Sequence, residues 1–174
     1  ELNPDMAPEG EKRTAHIARK YGRTLKQSCA VQGQMREAAE RAGVSLDYEG
    51  PEPAPEAMMW NTFDAHKLLV WAGDTHGYAR QTDLKLALFH AHFNARSPIG
   101  DRTVLLDIAE ETGFNRAEAG AALDSAEWAH KVRAEERAAY DLNVTGVPAM
   151  VVENAFMIPG AQSPDVCRDA LRRV

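Results

Sequence analysis

Two thiols, a proline that opens an apolar run and a few polar turns carry the chemistry available to this chain. Cys29 and Cys167 lie far apart in sequence, and a disulfide needs Cα atoms within about 7 Å, so local geometry does not make them a redox dithiol. Cys29 is expected to be a small buried hydrophobe on the apolar side of a helix, and Cys167 a surface or packing thiol. The 174 residues hold no Cys-x-x-Cys, and no catalytic residue is assigned within them. His90 and His92, two apart on a helix, point to different sides, so no metal site is assigned either. The run Thr145-Gly146-Val147-Pro148 leads into Ala149 to Val152. Proline cannot donate to a ladder, which puts Pro148 at a strand's first residue or edge, and the Val147–Pro148 peptide is expected to be cis. Gly160-Ala161-Gln162-Ser163 precede a helix, where backbone N–H groups receive a carboxylate well; an ordinary cap by Ser163 explains the same residues. Asn61, Asp64 and His66 open another helix, with Asn61 as cap and Asp64 reaching back to it. His66 is either a plain core or surface histidine or, beside a thiolate, a group that lowers the thiol pKa.

The elements that must position these groups are mostly helices. Thr24 caps a helix to about Ala42, with Leu25, Cys29, Met35, Ala39 and Ala42 at helical spacing, and Gly43 ends it. Pro51, Pro53 and Pro55 make an extended connection. Helices are expected from Asn61 to about Asp74, from Arg80 to Asn94, after Asp101, from Asn115 to Leu123, and after Ser125 to about Leu142. Trp60, Trp71 and Trp128 are spaced for packing. The C-terminal part reads as a strand to Val152, a turn in which Asn154 takes positive φ, a second strand from Ala155 to Ile158, and a helix from Asp165 to Val174. Glu1 to Met6 reads as the tail of a further strand. Two strands make at best a marginal sheet, so the hairpin is expected to pack on Leu2 or on strands outside the numbered residues.

Val-Thr-Gly-Val-Pro at 144–148, Pro-Gly-Ala-Gln at 159–162 and Asn61-Thr62-Phe63-Asp64-Ala65-His66 with Leu68-Leu69 and Trp71-Ala72 resemble the FrnE-like branch of the DsbA family across nearly the whole chain. The resemblance implies an α/β, thioredoxin-like fold with a large all-helical insertion. Residues 1–22 and 143–174 would form a partial thioredoxin-like domain and 23–142 the insertion, with the N-terminal strand-helix-strand part and its Cys-x-x-Cys not among these residues. It also implies thiol-disulfide exchange with a thiol or disulfide substrate, protein or small molecule. Thr145, Gly146, Val147 and Pro148 would face that substrate, Val147 pairing with it in strand fashion, and Gly160 to Ser163 would line the same cleft with Asn3. Asn61 and His66 would stand near it. No cofactor is implied. Kappa glutathione transferases and 2-hydroxychromene-2-carboxylate isomerases share this architecture, and in them the turn matching Gly160 to Ser163 holds a carboxylate of glutathione, which makes glutathione a possible substrate. A glutathione-dependent enzyme and a non-catalytic module that binds thiols or peptides are the alternatives.

With 26 acidic against 20 basic residues the net charge is −6, which opposes general binding to phosphate backbones; nucleic acid is not an expected partner. No apolar stretch approaches the roughly 20 residues of a membrane helix, and a cytoplasmic location is expected. The sequence leaves the oligomeric state open.

Overall fold

The computed structural model describes residues 3–22, 24–153 and 156–172, apart from the side chain of Leu25. The expectations placed on Leu2, on Asn154 and Ala155 of the turn, on the Leu25 side chain and on the last two residues of the closing helix lie outside these residues. The described elements are β1 (Glu11–Lys12), α1 (Arg13–Tyr21), α2 (Leu25–Arg41), β2 (Met58–Met59), α3 (Phe63–His76), α4 (Tyr78–Phe93), α5 (Arg102–Glu111), α6 (Arg116–Asp124), α7 (Ala126–Asp141), β3 (Ala149–Val152), β4 (Phe156–Pro159) and α8 (Pro164–Leu171). They form two compact units, Asn3–Val132 and Arg133–Val174.

The first unit is built on α3 to α6. Leu68 of α3, Leu84 of α4 and Leu105 of α5 are wholly buried, and Ala72, Ala109 and Ala119 close the gaps between the helices. Alanines at these contacts let the helix axes approach closely while the leucines supply apolar area, about 25 cal/mol per Å2 removed from water. Trp71, His76 and Phe114 meet edge to face or tilted, with centroids 5.0 to 5.3 Å apart. Arg80 lies over Phe114 and donates to the Thr112 carbonyl at 2.6 Å, closing the end of α5. Lys67 is buried because its ammonium caps the end of α6 through the Leu123 carbonyl and pairs with Asp64 at 3.4 Å. A cation is well placed there, since the last carbonyls of a helix lack intrahelical partners.

Helix starts follow their side chains. Asp101 accepts from the N–H groups of Thr103 and Val104, Asn115 from Ala117 and Glu118, and Thr24 forms a reciprocal box with Gln27. Asn61 is different. The residue at the cap of α3 is Thr62, which makes no side-chain cap bond, and Asn61 instead accepts from the Phe63 N–H at 3.0 Å while its amide turns to the Met6 carbonyl. Asp64 pairs forward with Lys67, so the reciprocal cap expected of Asn61 and Asp64 does not form.

Two further expectations are corrected. β1 pairs antiparallel with β2 (Glu11 opposite Met59, Lys12 opposite Met58) and runs into α1. Residues 23–142 therefore contribute one short strand and are not wholly helical. Gly10, at φ 69°, permits the turn into β1. On α2 the side that packs is marked by buried Ser28 and half-buried Val31 and Gln32, so Cys29 and Met35 are exposed. One position along a helix is a rotation of about 100°; α2 packs on the narrow α1 through a face turned by that amount from the predicted stripe. Among the described residues of the β3–β4 turn, Glu153 has a positive φ of 47°.

The second unit holds β3 and β4, paired antiparallel with Ala149 opposite Pro159 and Val152 opposite Phe156, followed by α8. Val152 and Ile158 are its buried apolar residues among those described.

Candidate functional site

The C-terminal hairpin is where the structure joins two segments singled out from sequence. β3 begins at Ala149, one residue after Pro148, because a ladder position there would need a proline N–H. The Val147–Pro148 peptide is cis, as is Glu52–Pro53. At the same end of the ladder, on the facing strand, Gly160 (φ 72°) turns the chain out of β4, and its N–H donates to the Pro148 carbonyl at 2.8 Å. Glycine takes that left-handed conformation without the Cβ conflict that other residues meet. The bond ties the Thr145-Gly146-Val147-Pro148 loop to the Gly160-Ala161-Gln162-Ser163 turn.

All eight of these residues are exposed, Val147 at 68%. Neither the N–H nor the carbonyl of Val147 bonds to another described residue. An exposed peptide unit next to a strand start is what an extended partner segment needs to extend the ladder. Gln162 folds back to donate to the Pro159 carbonyl at 2.7 Å. Ser163 accepts from the Val166 N–H at 3.4 Å with Pro164 at the first position of α8; proline fits there because that N–H would have no helical partner. The turn is thus an ordinary serine-capped helix start. Beside it runs a shallow groove of about 500 Å3 lined chiefly by Phe156, Ile158, Gln162 and Val166.

The remaining site residues belong to the first unit. Asn3 accepts from the Lys20 ammonium at 2.6 Å, and its carbonyl accepts from the Met6 N–H at 3.1 Å. Since the Met6 carbonyl in turn takes the Asn61 amide at 2.8 Å, one hydrogen-bonded turn connects Asn3 to Asn61. His66 is half-buried in the first turn of α3. The two histidines of α4 have different surroundings: His90 pairs with Glu49 at 3.2 Å, while His92 packs edge-on against Phe93. Cys167 is half-buried on α8.

Sequence reasoning missed one polar cluster. Arg13, Gln32 and His92 come from α1, α2 and α4, and each carries a buried nitrogen without a hydrogen-bond partner. No spacing within one helix could have indicated it. A second constellation, His16 between Glu11 (2.5 Å) and Arg19, is a local ion-pair knot on α1.

Residues 2–172 match the family described as DSBA-like thioredoxin domain. Among solved structures, a probable DsbA oxidoreductase from Streptomyces coelicolor superposes with a TM-score of 0.85 at 30% identity, over 99% of this chain and 71% of the other. The uncharacterized protein YwbO of Bacillus subtilis is 26% identical over 141 residues, 80% of this chain. The chain spans 66% of the length of that relative.

Proposed function

Since the chain belongs to the DSBA-like thioredoxin domain family, we propose that it supplies the substrate-facing part of a FrnE-like thiol-disulfide oxidoreductase, whose reacting dithiol is not among these 174 residues. Such exchange proceeds by thiolate attack on a disulfide through a mixed disulfide, so the partner segment must be held extended while sulfurs approach in line. The exposed peptide unit of Val147 is the group suited to hold it, and the Gly160 turn fixes that unit's position. The observation that carries this reading is the hydrogen bond from Gly160 N–H to the Pro148 carbonyl, which brings both segments to one end of the hairpin. Substrates are extended segments bearing a thiol or disulfide.

Insulin reduction tests it. The 174-residue chain is expected to remain at background, because Cys29 is on α2 and Cys167 on α8. A longer form carrying Cys-x-x-Cys ahead of Glu1 is expected to be active. In that form Val147→Asp raises KM roughly tenfold, about 1.4 kcal/mol of binding, with thermal stability unchanged because the side chain is exposed. Turnover by the 174-residue chain that is abolished by Cys29→Ser or Cys167→Ser would sink the proposal.

A further inference from the structure

The cluster of Arg13, Gln32 and His92 has the composition of an anion cradle. Three buried side-chain nitrogens lack partners, Nε of Arg13, Nε2 of Gln32 and Nδ1 of His92; the first two are obligatory donors. Buried polar atoms left unpaired cost about 1–3 kcal/mol each, and native proteins rarely tolerate several in one place unless water or an ion answers them. Gln32 meets Arg13 through its carbonyl at a long 3.4 Å, while its amide nitrogen is left without a partner.

Charge separates an ion from a water. Arg36 and Arg96 lie close enough to Arg13 to depress its basicity, after the larger effect of burial. The neighbouring carboxylates are engaged elsewhere: Asp47 with Arg36, Glu56 with Lys12, Glu11 with His16 and Arg19, and Glu49 with His90. Neither Arg13 nor Arg96 forms an ion pair among the described residues; Arg96 bonds to the Pro55 carbonyl and lies over Tyr48. Arg13 is also the first residue of α1, whose first turn has no acidic residue. A cation at that end of a helix is disfavoured and an anion favoured. A bridging water would satisfy hydrogen bonds and leave the guanidinium repulsion in place, whereas an oxyanion relieves both. The three nitrogens are sealed from solvent, so the ion enters as Arg13 or Gln32 swings aside. The charge of −6 on the whole chain disfavours a polyanion and leaves a small ion as the ligand.

We propose that Arg13, Gln32 and His92, with Arg96 and Arg36 at the rim, form a binding site for a small oxyanion whose oxygens accept from guanidinium and amide at once. Phosphoryl and carboxylate groups share that chemistry. Thermal denaturation at fixed ionic strength, with sodium chloride exchanged for inorganic phosphate or for acetate, distinguishes them. A saturable rise in Tm is expected with at least one, and the anion that produces it identifies the ligand class. Arg13→Lys keeps the charge and removes the fork, and is expected to weaken binding about tenfold, as loss of one charge-assisted hydrogen bond does. Gln32→Met gives the same reading from a second helix should Arg13→Lys fail to fold. The absence of a saturable response to both anions means a hydrated cluster and overturns the site. So does unchanged affinity in the folded variants.

Discussion

His92 and Glu11 act on stability in different pH ranges. Burial first and Arg13 second hold His92 below the usual histidine range, so the folded state favours the neutral ring. As pH falls through about 6.5 the unfolded chain takes up a proton that the folded chain refuses until lower. This contribution to stability is complete above 6.5 and is lost between there and the lower folded value. Glu11 accepts a hydrogen bond from His16 and another from Arg19, and both hold its carboxyl below the usual range. Its contribution is present above the unfolded carboxyl value and disappears as pH falls through the folded one. Urea midpoints measured from pH 7.5 to 4 are expected to decline in two stages. His92→Phe should flatten the upper stage and spare the lower; a variant that keeps both stages would remove His92 as the cause.

Gly10 holds the two shortest strands together. A Cβ at this position would lie 2.5 Å from the Met59 carbonyl oxygen and 2.6 Å from the Trp60 ring, on a backbone at φ 69°. Gly10→Ala is expected to destabilise the chain by about 1–3 kcal/mol, seen as a lower urea midpoint. Thr24→Ala removes the side-chain half of the capping box of α2, the bond accepted from the Gln27 N–H, worth about 1 kcal/mol; faster amide exchange should appear in α2 and leave α3 to α6 unchanged. These elements were unequally legible. Thr24, Asp101 and Asn115 announced their helices because a side-chain oxygen just ahead of an apolar periodic run has one obvious use. After Asp101, buried Leu105, Ile108 and Ala109 recur at helical spacing, a periodicity a sequence displays directly. The pairs at Glu11–Lys12 and Met58–Met59 were invisible, since a two-residue ladder has no alternation to detect. The loop at Val147 and the turn at Gly160 could be named from sequence, and their direct bond could not, because it depends on the register of β3 against β4.

Stability is distributed unevenly over the whole molecule. The first unit carries the large helical core, so Leu105→Ala is expected to cost about 2–5 kcal/mol. The second unit buries Val152 and Ile158 and leaves Leu142, Val147, Met150, Val166 and Leu171 exposed among the described residues. Elements with few buried apolar contacts open at lower free energy, and hydrogen exchange should be faster across 133–172 than across 63–124. Uniform protection over both spans would contradict this ordering. Among the described residues no helix is long and apolar enough to cross a membrane.

The hairpin also bears on how the chain behaves in concentrated solution. β3 and β4 form a sheet of two strands among the described residues, and both outer edges present backbone groups with Met150 and Val151 exposed beside them. An unprotected edge is a template for any other edge it meets, including that of another copy. The same surface suited to an extended substrate therefore sets a ceiling on concentration. Light scattering of the 174-residue chain should rise steeply with concentration, and Met150→Lys, which places a charge on that edge, should move the onset upward.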